Sequence, residues 1–71
     1  MNDAEILYNN VKNICREDGI LIGKVETDAG VCAGYLERLK HQGHAVKVSS
    51  VRKFARALGV PMLVLMEGMI E

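Results

Sequence analysis

Apolar residues recur along this chain at helical intervals, and Gly19, Gly30, Gly43, Gly59 and Pro61 cut the pattern into five segments. Leu7, Val11, Ile14 and Cys15 stand at i, i+4, i+7 and i+8, the stripe of an amphipathic helix over residues 4–18. Asn2 or Asp3 caps it and Gly19 stops it. Ile20 returns to the core. Ile22, Val25 and Ala29 then form one face of a short second helix, ended by Gly30, which reaches the left-handed conformation at little cost. Val31 is placed to plug the angle before a third helix that turns Leu36 and Leu39 inward and Tyr35, Glu37, Arg38 and Lys40 mostly outward. Residues 41–47 read as a loop. Val46 and Val48 alternate with Lys47, but this short extended piece has no partner strand, so no sheet is expected. Ser49 or Ser50 caps a fourth helix over about 50–58, with Val51, Phe54, Ala55 and Leu58 inside and Arg52, Lys53 and Arg56 outside. Val60 packs behind Gly59, and Pro61 opens a last helical turn.

That last turn is apolar on nearly every side: Met62, Leu63, Val64, Leu65, Met66. A chain of 71 residues forms one small domain over residues 1–71 and cannot bury all of these side chains. Leu63, Val64 and Met66, with Met69 and Ile70, make a candidate dimerisation patch within the tail 61–70. The alternative is packing of the tail onto the first helix.

A short helix, a glycine turn and a crossing helix over about residues 21–41 form the helix-turn-helix plan, whose second helix enters a DNA major groove. The net charge is zero, which by itself argues against a nucleic-acid binder. The charges are, however, divided. Residues 1–30 carry six acids against Lys12, Arg16 and Lys24. Residues 31–60 carry six bases against Glu37 alone, a local +5, with His41 and His44 in the same span. Such asymmetry is the footprint expected of a phosphate-binding surface, although a solvated face with chance clustering gives the same count.

Two cysteines are too few for a disulfide framework. Cys15 lies on an apolar face and reads as core filler, while Cys32 stands where the second motif helix is expected to begin. His41 and His44 are three apart, with no cysteine or acid at a zinc spacing, so no metal is expected. No apolar run approaches the ~18–20 residues of a membrane span, and the polar, acidic start is unlike a signal peptide. The expectation is a soluble cytoplasmic protein without membrane contact, cofactor or small-molecule substrate.

The ordered set VKNICREDGI, IGKVETDAGV, YLERL and VRKFARALGVPMLVLMEG resembles the Cro and phage-repressor-like domains, the lambda-repressor-like helix-turn-helix family. Residues 11–68 are covered. Phe54, Ala55, Leu58, Gly59 and Val60 meet the family's tail pattern. The resemblance implies an all-α, compact five-helix domain that binds double-stranded DNA as a homodimer. On that reading Tyr35, Glu37, Arg38 and His41 are long enough to reach base edges. Arg38 suits the O6 and N7 of guanine, Glu37 accepts from cytosine or repels phosphate, Ala33 touches a thymine methyl, and Gly34 lets the helix approach closely. Lys40, Gln42, His44 and Lys47 hold phosphates, and Lys24 completes the set. The departures are specific. Glu26 replaces the alanine common between the motif helices and is either exposed or paired across the motif. Leu21 and Ile22 stand where many members have Thr-Gln, the Gln gripping phosphate, and Cys32 takes the place of a hydroxyl cap. Structural roles compete with base reading: Tyr35 packing on the second helix, Arg38 pairing with Glu26 or Asp28.

Two functions follow. The first is a sequence-specific DNA-binding transcriptional regulator, of phage-like or chromosomal repressor type. The alternative is the same fold used for protein contact, as an antirepressor or heterodimer partner, which zero charge, Ala33, Gly34 and the apolar tail favour. An enzyme is not expected: no Ser/His/Asp set or paired carboxylates in an apolar setting occur, and the Gly23-Lys24 pair lacks the rest of a phosphate loop.

Overall fold

The first helix, α1 (Asp3–Asp18), begins at a capping box. The Asn2 side chain accepts from the Glu5 amide at 2.8 Å, and the Glu5 carboxylate accepts from the Asn2 amide at 3.2 Å, so two otherwise orphaned donors are satisfied. The computed structural model describes residues 2–43 and 45–69. Among them lie four further helices and no strand: α2 (Ile22–Ala29), α3 (Tyr35–Gln42), α4 (Val48–Leu58) and α5 (Met62–Met66). Expectations for His44 and Ile70 lie outside the described residues.

All five helices give side chains to one core. Leu7, Val11 and Cys15 from α1 meet Val25, Leu36, Val51, Phe54, Ala55 and Leu65, all buried. α1 packs chiefly against α3 and α5, and α2 against α4. The molecule measures 28 × 22 × 20 Å, and no described helix is long and apolar enough to cross a membrane. The apolar stripes of α1, α2 and α4 face inward as their spacing predicts, with Ile14, Ile22, Ala29 and Leu58 partly buried at the edges. Phe54 is fully buried at the centre.

Four boundaries or faces differ from the sequence reading. α3 starts at Tyr35, not near Cys32, because Cys32 to Gly34 form a turn closed by the Tyr35 amide on the Cys32 carbonyl at 3.1 Å. It runs on through His41 and Gln42, which are helical and not loop. Tyr35 faces inward, its ring stacked on Phe54 with centroids 6.2 Å apart. α4 begins at Val48, so Lys47 is its N-cap and neither serine caps it. Ser50 is instead buried inside the helix.

The tail divides. Leu65 is fully buried, while Met66 and Met69 pack part-buried against the core. The Asn10 amide of α1 donates to the carbonyls of Leu65 and Glu67 at 2.8 and 2.9 Å, clamping the end of the short α5 onto α1. Leu63 and Val64 point away, 79% and 42% exposed. The candidate patch is therefore narrower than the sequence indicates, because a five-residue helix docked along one side necessarily turns one edge outward.

Candidate nucleic-acid interface

The two motif helices are joined by a turn built on glycines. Gly30 ends α2 with φ 80°, and Gly34 stands before α3 with φ 82°. Both angles lie in the region where any side chain with a Cβ is strained. Gly34 has no side chain with which to cap α3, and Cys32 lies too early to do so. The cap comes from α2 instead. Glu26 is 3% exposed, and its two carboxylate oxygens accept from the Gly34 amide at 3.0 Å and the Leu36 amide at 3.1 Å. A buried carboxylate is costly unless its lone pairs are met, and two backbone donors at the positive end of a helix meet that need. Of the two readings of Glu26, exposed or paired across the motif, burial is correct. Its partners are backbone amides, which no side-chain pattern announces.

α3 is held on three sides. Leu36 is fully buried in the core. The Tyr35 hydroxyl shares a hydrogen bond with the Ser50 hydroxyl of α4 at 3.0 Å, the partner that a part-buried tyrosine requires. The Lys40 ammonium lies 4.7 Å from the centre of the Tyr8 ring of α1, and Lys12 lies 5.6 Å from the same ring. Lys40 is thus partly covered and engaged with α1, a cation–π contact that the sequence reading missed. Tyr8 and Lys12 stand at i and i+4 on α1, a spacing that signals the Lys12 contact but not that of Lys40, which comes from another helix.

What remains outward on α3 is a stripe of Glu37, Arg38, His41 and Gln42, all exposed. Arg38 and Gln42 are i and i+4, so both project from the same side. Arg38 pairs with neither Glu26 nor Asp28. Glu26 is occupied by amides, and Asp28 is bound by Lys24 at 3.1 Å. Lys24 is thereby engaged, through an exposed pair, within its own helix. Ala33 is exposed in the turn ahead of the stripe, and Gly34 is half-buried there.

Beside the stripe run two adjoining open depressions that share Tyr35 and Leu39. One is bounded by Arg38 and Gln42 and the other by Ala45, Lys47, Ser49, Ser50 and Lys53. α3 and the start of α4 therefore form one surface with cations on both edges. Lys53 and Ser49 belong to it, whereas the sequence pattern places Lys53 only among the outward charges of the fourth helix. The described residues contain no group of three or more metal-ligating side chains.

Compared with known proteins, the chain matches no family model, and no curated protein or solved structure is significantly similar to it.

Proposed function

We propose that this chain is a sequence-specific DNA-binding transcriptional regulator of the helix-turn-helix kind, related to the Cro and phage-repressor-like family, with α3 in the major groove. The observation that carries the reading is the exposed outward stripe of α3 flanked by Lys47 and Lys53. Arg38 reads guanine, Gln42 and His41 lie along the same face, and the α4 lysines hold phosphate. Tyr35 serves chiefly to seat α3 on α4, and Lys40 to seat it on α1. Two copies joined through Leu63 and Val64 of α5 address half-sites about one helical turn apart. Each copy is 20–28 Å across, a size of the same order as that spacing.

Fluorescence anisotropy with a mixed-sequence duplex at several salt concentrations tests the electrostatic part. The expected result is binding that weakens steeply with salt, because each neutralised phosphate releases counterions. No binding at low salt overturns the proposal. It would favour the second reading, a protein-contact module, which the 80% exposure of Leu21 at the edge of the motif supports.

A further inference from the structure

We propose that Glu26 is a positioning residue for DNA reading, setting the direction in which the α3 stripe points without itself touching DNA. The inference rests on the DNA-binding reading of α3 and concerns how that helix is aimed.

Three observations carry it. First, α3 has no side-chain cap of its own, since Gly34 lacks a side chain and, among the described residues, the only local bond to its first turn is that of the Tyr35 amide to the Cys32 carbonyl. The Leu36 amide, which a local cap would have served, is taken by Glu26 from ten residues earlier. Second, the carboxylate holds two amides, so it restrains the helix end in direction as well as in distance. One contact would leave α3 free to swing about it. Third, Arg38 is bonded through its own amide to the Gly34 carbonyl at 3.0 Å, one turn beyond the anchored residue. A shift at Gly34 is passed to the Arg38 backbone, from which the guanidinium projects. Bidentate base recognition tolerates misplacement of only about 0.5 Å, so loss of the anchor is expected to blur reading before it abolishes binding. The phosphate contacts of Lys47 and Lys53 come from α4 and do not depend on Glu26.

The test combines amide hydrogen exchange with binding to two duplexes, one selected by the wild-type protein and one scrambled. In the wild type, Gly34 and Leu36 should exchange about tenfold or more slowly compared with Ile22 and Gly23, the uncapped first residues of α2. Glu26→Gln keeps one acceptor oxygen and Glu26→Ala keeps none. Exchange at Gly34 and Leu36 should accelerate in that order, with helical content retained. Preference for the selected duplex should fall in parallel, by about tenfold for E26Q, while the scrambled duplex binds as before. Wild-type Gly34 and Leu36 amides that exchange as fast as Ile22 and Gly23 overturn the proposal without needing any variant. So does a folded E26Q that keeps full preference, or one that weakens both duplexes equally. A wild type that selects no duplex overturns the DNA reading and the positioning role with it. Slow exchange at Gly34 and Leu36 then identifies Glu26 as an anchor alone.

Discussion

Cys15 and Cys32 carry the same side chain into opposite surroundings, one buried and one exposed. Burial pushes the Cys15 thiol above its ordinary value of 9.0, and the negative charges of Asp18 and Glu26 add to the effect. The folded state therefore favours the protonated thiol. Its contribution to stability is fully present below pH 9.0 and is lost as pH rises through the higher folded value. Urea midpoints should fall on going above that pH, and Cys15→Ala should flatten the fall; an unchanged slope would contradict the assignment. An alkylating reagent at about pH 8 should modify Cys32 in the native protein and Cys15 only on unfolding. At the outward stripe, Arg38→Ala should weaken binding by about 1–3 kcal/mol at one base position, whereas Lys47→Ala should weaken all sequences alike and lower the salt slope by about 1. Anisotropy on a panel of single-base variants separates the two, and equal losses on every duplex for both changes would sink the assigned roles. Residue placement was legible where a stripe had a strong period, as at Leu7, Val11 and Cys15. Tyr35 turns inward unmarked by the apolar pattern, because Leu36 and Leu39 fix only the middle of the buried face. Its spacing of four from Leu39, and that of Ser50 from Phe54, held the missing information.

Helix ends were legible where glycine or a local side chain makes them. Gly19, Gly30 and Gly59 end α1, α2 and α4, and Asn2 with Glu5 begins α1. They were not legible where the cap comes from elsewhere in the chain, as at α3, or where no side chain caps at all, as at α4. Lys47 is a poor N-cap, since it has no acceptor and its charge opposes the helix dipole. A residue so unfavourable for the helix stands where a phosphate contact would need a cation. Lys47→Ser should therefore stabilise the protein by about 1 kcal/mol in urea unfolding and weaken binding to every duplex. A substitution that lowers stability, or leaves binding unchanged, would remove this argument for Lys47.

For the molecule as a whole, zero net charge conceals a division between elements. On α1 and α2 the exposed acids Asp3, Glu17, Asp18 and Asp28 stand against Lys12, Arg16 and Lys24, while Arg38, Lys47, Arg52, Lys53 and Arg56 lie exposed on or beside α3 and α4 against Glu37 alone. Glu26, which bonds the start of α3, is turned inward. On the proposed reading, self-association uses the outer edge of α5. Leu63→Asp alters a side chain 79% exposed and should leave the fold intact while shifting sedimentation toward the monomer. An unchanged sedimentation profile would exclude that edge as the dimer contact. The central claim is that α3 reads sequence, and selection from a randomised duplex pool, followed by sequencing of the bound fraction, tests it most directly. The account predicts enrichment of a two-fold symmetric site with half-sites about one helical turn apart, lost when Arg38 is replaced. A bound fraction with the same composition as the starting pool would contradict it.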